Sequence, residues 1–73
     1  AVARYGEYAG TAVPALGRAL KDGHFGMRVA AAVALGRIGP GAATAVPQLR
    51  LALSDPDGGT REAAAAALAR ISR

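Results

Sequence analysis

The sequence repeats itself at an offset of 33 residues. When residues 12–40 are laid over residues 45–73, 16 of the 29 pairs are identical, and six of those are Ala on Ala. The remaining identities are specific, and they include Pro14 with Pro47. A repeated unit of this size cannot bury its apolar face alone, whereas stacked units share a continuous core. The 33-residue period therefore predicts an array of stacked units.

Each copy predicts two helices. Val13, Leu16 and Leu20 recur at i, i+3 and i+7, which places them on one face of an amphipathic helix. Pro14 suits the first turn of that helix, and Gly23 can end it in a left-handed conformation. We expect an all-α fold with helices at about 12–21, 27–38, 45–54 and 60–72. The buried stripe of the second helix is predicted to consist of Met27, Ala31, Ala34, Leu35 and Ile38.

The same offset divides the chain into three parts. "AVARYG" at 1–6 falls on "ALGRIG" at 34–39, so the chain starts inside a further copy. We expect 1–11 to be the C-terminal part of a preceding repeat, with complete units at 12–44 and 45–73. More of the array is therefore expected N-terminal to Ala1, because stable arrays usually need about three repeats.

The amino-acid composition excludes several classes of function. The chain has no cysteine, which excludes disulfides and thiolate chemistry and fits a reducing compartment such as the cytoplasm. The longest apolar run, Val29 to Leu35, is too short to span a bilayer, so no membrane association is expected. His24 and the five acidic residues form no catalytic or metal-binding constellation in the sequence, and we expect no enzyme activity, no metal and no cofactor.

Two segments resemble a known family. "AVPALGRALKDGHFGMRVAAAVALGRIG" and "AVPQLRLALSDPDGGTREAAAAALARIS" are similar to the short bacterial kind of HEAT repeat, through A-V-P-x-L, an Asp in the turn, an Arg six residues later, and A-A-x-A-L-x-R-I. The resemblance implies a right-handed α-solenoid in which second helices line a concave face. It also implies an inter-repeat ladder of hydrogen bonds formed by Asp22, Arg28, Asp55 and Arg61. The first turn departs from the family pattern and places Phe25 where we expect it to pack beneath the turn.

A row of arginines is the main binding candidate. Arg4, Arg37 and Arg70 occupy one repeat-equivalent position near the end of each second helix. Such a row can bind phosphates or carboxylates, but an Arg in the last turn also stabilises the negative end of a helix, and both interpretations stay open. We expect the candidate concave face to consist of Arg4, Val29, Val33, Arg37, Glu62, Ala66 and Arg70.

Three functions remain open at this point. The first is a non-catalytic protein-interaction or scaffold module that binds a protein or peptide on its concave face. The second is a nucleic-acid-binding module that uses the arginine row, although the net charge of +4 is spread over both sides of the predicted helices. The third is an accessory region of a HEAT-like lyase or another enzyme complex. The repeat family hosts all three, so the fold alone does not choose among them.

Overall fold

The computed structural model describes residues 12–72. Four α-helices run through this range, and a 3₁₀ segment joins the second helix to the third. No strand occurs in residues 12–72, so the predicted all-α class is confirmed there. The helices are α1 (12–19), α2 (Phe25–Ile38), α3 (Val46–Ala52) and α4 (Gly58–Ile71), and the 3₁₀ segment is Gly39–Ala45.

Local hydrogen bonds explain where the helices differ from the predicted bounds. Helix α1 stops at residue 19 because the Lys21 N–H donates to the Arg18 carbonyl at 3.0 Å, an i to i−3 bond that tightens the chain into a turn. Helix α4 begins two residues before the predicted position because Asp57 caps it. Asp57 Oδ2 accepts the Thr60 N–H at 2.8 Å and the Thr60 hydroxyl at 3.0 Å. Thr60 therefore lies inside the first turn of α4, where it is fully buried.

The corner after α2 depends on one glycine. Gly39 has a φ of 74°, and its N–H donates to the Leu35 carbonyl as the helix ends. It is the one residue with positive φ in the described part of the chain, so the left-handed conformation predicted for Gly23 is wrong. Pro40 follows at the start of the 3₁₀ segment, where its missing N–H has no helical partner to lose.

Two side chains at the start of α2 lie in solvent rather than in the core. Phe25 is 57% exposed and stacks against the His24 ring at a centroid distance of 6.4 Å, so the prediction that it packs beneath the turn is wrong. Met27 is 51% exposed, although it was predicted to be buried. The second helix pair covers the opposite side of α2, so this side of the α2 N-terminus stays open.

The core lies between the two helix pairs. Leu35 of α2 and Leu49 of α3 are completely buried, and alanines from α2 and α4 fill the space around them. The two long helices pack closely because Gly36 faces Ala67. A Cβ on Gly36 would lie 3.1 Å from Ala67 Cα and 3.3 Å from Ala67 Cβ. Small residues at this crossing therefore set the distance between α2 and α4.

The stretch Phe25–Ala52 is apolar enough to resemble a membrane span. It contains 28 helical residues, and its most apolar window has a mean hydropathy of 1.4 and is 39% buried inside the protein. The corner at Gly39 divides it into α-helices of 14 and 7 residues, whereas a spanning helix needs about 20 consecutive residues. Part of this apolar surface is buried in the core shared with α4.

We expect Gly36→Ala and Gly26→Ala to have different effects. A helical Gly→Ala change usually stabilises by about 0.5–1 kcal/mol, because Ala loses less backbone entropy on folding. A Cβ on Gly26 meets nothing within 4 Å, so this variant should keep the gain. The close approach to Ala67 should remove it from Gly36→Ala, leaving that variant less stable than Gly26→Ala by about 1 kcal/mol or more. Urea unfolding followed by circular dichroism measures the difference, and equal gains would refute the packing argument.

Candidate functional site

A groove runs between α2 and α4 on the face away from α3. It encloses about 170 Å³. Small apolar residues form most of its surface, and arginine side chains lie at one end, where both helices finish. The lining residues are Ala32, Val33, Gly36, Arg37, Ala63, Ala66, Ala67 and Arg70.

The close packing of α2 on α4 makes the floor of this groove. Ala32 and Gly36 are buried on the α2 side, and Ala67 is buried on the α4 side. No side chain larger than a methyl group rises from these three buried positions, so they do not fill the groove above them. Val33 is 42% exposed and Ala66 is also exposed, and these two residues form the accessible apolar walls.

Arg37 and Arg70 give the groove its charge. Each is the basic residue in the last turn of its helix, where a cation favours the negative end of the helix dipole. Both also line the groove, and no acidic side chain does. Arg70 makes no hydrogen bond or ion pair with any residue of 12–72. The position of these side chains is therefore compatible with helix-end stabilisation and with ligand binding at once.

Four of the predicted binding residues meet in this groove: Val33, Arg37, Ala66 and Arg70. Val29 is half-buried and faces α4, with its Cγ2 atom 3.7 Å from the place of a Cβ on Gly59. Glu62 is exposed and does not line the groove. Arg4 lies outside the described residues.

Sequence reasoning omitted the floor from the binding site. Ala32 and Gly36 are spaced four residues apart on α2, and Ala63 and Ala67 are spaced four apart on α4. Two such pairs of small residues on repeat-equivalent helices signal close helix packing. That spacing could have identified the groove. The binding-site prediction instead used residues that were expected to be exposed.

A second constellation joins the two repeats at the inter-helix turns. Arg28 Nε lies 2.7 Å from Asp55 Oδ2 as an ion pair, and Arg28 Nη2 donates a hydrogen bond to Asp55 Oδ1 at 3.1 Å. The two side chains are 15% and 11% exposed. The contact combines one charge-assisted hydrogen bond, from Nη2, with a close approach of charges at Nε, which itself makes no hydrogen bond. Arg28 and Asp55 thus hold the start of α2 against the turn between α3 and α4.

Both ladder arginines also hold their own turns. Arg28 Nη1 donates to the Asp22 carbonyl at 2.8 Å, and Arg61 Nη1 donates to the Asp55 carbonyl at 2.7 Å and the Pro56 carbonyl at 3.0 Å. The two turns are therefore stabilised in the same way. Of the predicted ladder, one Arg–Asp pair bridges the repeats within the described chain, while Asp22 and Arg61 lie at its outer ends.

The pKa of Asp55 is lowered from its ordinary value of 3.8. The main cause is the Asp57 N–H, which donates to Asp55 Oδ1 at 2.8 Å. Partial burial opposes this effect, whereas the hydrogen bond and charge of Arg28 and the charge of Arg61 add to it. All of the lowering interactions favour the carboxylate form.

Residues 12–72 offer little for metal or acid–base chemistry. They contain no group of three or more His, Cys, Asp or Glu side chains that could hold a metal ion. His24 is exposed in the first turn, and its backbone N–H donates to Asp22 Oδ1 at 2.9 Å. This bond orders the turn and leaves the imidazole in solvent.

We expect Asp55→Asn to remove part of the pH dependence of stability. A carboxylate whose pKa is lowered by folding stabilises the native state above its unfolded pKa, here 3.8, and loses that contribution as pH falls through the lower native value. The parent should therefore lose stability below about pH 4 more steeply than the variant. Thermal melts between pH 2 and pH 7 provide the measurement. Glu62→Gln, which removes the charge of an exposed carboxylate outside both turns, is the control, and identical profiles for both variants would contradict the assignment.

Comparison with known proteins adds one finding. A sequence model of the family described as HEAT repeats matches residues 1–69. No curated protein and no solved structure gives a significant match. The match covers most of the chain, and it agrees with the two helix pairs, the Asp and Arg of each turn and the close packing of the second helices. The chain therefore belongs to the HEAT-repeat family.

Proposed function

We propose that this chain is a non-catalytic protein-interaction or scaffold module that binds a peptide segment of a partner protein in the groove between α2 and α4. Membership of the HEAT-repeat family supports an interaction module. The finer proposal includes a right-handed solenoid with a 33-residue period, in which α2 and α4 line the concave face. It also includes a bacterial origin and a cytoplasmic location.

The apolar groove with arginines at one end is the observation that carries this proposal. Its exposed apolar walls, Val33 and Ala66, offer surface that a peptide side chain can cover. Arg37 and Arg70 can orient the same peptide through a backbone carbonyl or a carboxylate. A few polar groups around an apolar floor are the usual composition of a specific binding site.

A nucleic acid fits this surface less well. Phosphate binding depends on several cations along a path, and single-strand binding adds aromatic side chains for base stacking. In the described part of the groove there are two arginines and no aromatic residue. Phe25, the one Phe, Tyr or Trp among residues 12–72, lies in the first turn and does not line the groove.

Ala66→Trp should weaken peptide binding, because an indole at position 66 occupies the groove. Peptides of about 12 residues are first selected from a displayed random library, and their affinities are then measured by fluorescence anisotropy. We expect Ala66→Trp to weaken binding by about tenfold or more, the loss of roughly one buried contact of 1.4 kcal/mol. Ala65→Trp places the same side chain at the neighbouring exposed position outside the groove and should bind like the parent.

If neither variant changes the affinity, the peptide site lies elsewhere and the groove proposal is wrong. The nucleic-acid alternative has its own measurement, a titration against a 20-base-pair duplex at low and near-physiological salt. The double variant Arg37→Gln/Arg70→Gln removes two candidate phosphate contacts, which should reduce a genuine salt slope by about 2. A steep slope in the parent that this variant loses would favour nucleic acid over peptide.

A further inference from the structure

The Arg70 side chain crosses the groove between α2 and α4 at the end where both helices finish. Its Cδ atom lies 3.6 Å from the place of a Cβ on Gly36, so its aliphatic stem reaches from α4 to the backbone of α2. The stem occupies space that Gly36 leaves open because it has no side chain. The groove therefore has a charged side chain across one of its ends.

The lined part of the groove is short. On α4 the lining residues run from Ala63 to Arg70, seven positions later, which is about 10 Å along a helix that rises 1.5 Å per residue. An extended peptide rises about 3.3 Å per residue, so this length holds about three residues. The volume of about 170 Å³ is similar to that of an apolar cavity of about 150 Å³ that holds one benzene molecule. The groove thus suits one apolar side chain on a very short segment.

The charge at the crossed end favours an anion. Arg37 and Arg70 are exposed and line the groove, and no acidic side chain of residues 12–72 lines it. The negative ends of the two helix dipoles oppose an anion there, but they contribute only about half a charge each. The two guanidinium groups carry two full positive charges, so the sum is positive. Exposed Glu62 lies eight positions before Arg70, about 12 Å away along α4, so it does not cancel this charge.

We infer that the segment bound in the groove is the free C-terminus of a partner protein. Its last side chain is apolar and lies between Val33 and Ala66, and its terminal carboxylate lies at Arg37 and Arg70. This inference rests on the proposed peptide-binding function of the same groove. A chain that ends at Arg70 needs no path beyond the side chain that crosses the groove, whereas an internal segment has to continue over it.

A terminal carboxylate also matches the short distance between the apolar and the charged parts of the groove. In the last residue of a chain, the side chain and the carboxylate leave the same Cα atom, so both reach a site that is only a few residues long. An internal Asp or Glu carries its carboxylate on a separate residue, whose backbone needs room of its own. The pKa of a terminal carboxyl group is about 3.3–3.7, so the group is charged at neutral pH. Guanidinium groups match the geometry of such a carboxylate.

Peptides that differ only in their terminal group test the inference. A random library displayed with free C-termini supplies the peptides, and we expect the selected ones to share an apolar last residue. Each is synthesised as the free acid and as the C-terminal amide, and its affinity for the whole chain is measured by NMR titration. We expect the acid to bind about tenfold or more tightly than the amide, because the amide lacks the charge that the arginines bind.

Two arginine variants locate the bound carboxylate. Arg70→Gln should weaken binding of the acid by about tenfold and leave binding of the amide within about twofold. Arg50→Gln is the matched control, because Arg50 is also the basic residue in the last turn of its helix and is exposed, but does not line the groove. This control should bind both forms like the parent. Circular dichroism verifies that both variants are helical.

The outcomes separate this inference from the proposed function. Equal affinities for acid and amide, both weakened by Ala66→Trp, would overturn the C-terminal inference and leave the groove as a peptide site. Affinities that Ala66→Trp does not change would overturn both. An amidated peptide that regains full affinity when Asp is its last residue would place the carboxylate on a side chain, and that result also overturns the inference. A free-C-terminus library that yields no binder does the same.

Discussion

The close approach of α2 and α4 is the constraint on which the rest of this structure depends. Because Gly36 has no side chain, Ala67 can lie against the α2 backbone, and the two second helices pack at a distance that larger residues would not allow. At this short distance the two helices exclude solvent from the alanine-rich core beneath them. The same contact leaves the narrow apolar floor above them, so the core and the candidate site have one physical origin.

The Arg28–Asp55 bridge fixes the relative orientation of the repeats at the other end of the helices. Packing of small residues sets a distance but resists sliding poorly, since alanine surfaces present few protrusions. The hydrogen-bonded ion pair between Arg28, at the start of α2, and Asp55, in the turn before α4, fixes orientation, and each turn is itself stiffened by arginine-to-carbonyl and backbone-to-carboxylate bonds. The two devices are complementary: Gly36 determines how near the repeats lie, and Arg28 determines their register.

Much of this architecture could be predicted from the sequence because it repeats. The 33-residue offset predicted the helix pairs, and the resemblance to HEAT repeats implied that the Asp and Arg of the turns form a ladder between repeats. The errors fall where the copies differ. Phe25 was predicted to pack beneath a turn that departs from the family pattern, and Met27 was predicted from its place on the buried stripe of the second helix. Burial depends on which neighbour covers a position, and a single copy does not reveal this. Gly23 was predicted to be left-handed, but i to i−3 bonds from Lys21 and Asp22 end α1 without it.

The candidate site was harder to predict for a related reason. Arg37 and Ala66 are visible in the sequence as exposed residues of a repeat-equivalent helix face, whereas the floor is defined by side chains that are absent. Gly36 contributes to the groove because it has no side chain. This role can be recognised only once the position of the α4 backbone is known. Equivalent positions then have different structural roles. Gly36 packs against Ala67, whereas its counterpart Ala69 is exposed and carries a methyl group. A repeat thus specifies the scaffold through the residues that its copies share, and it specifies the binding surfaces through the residues in which they differ.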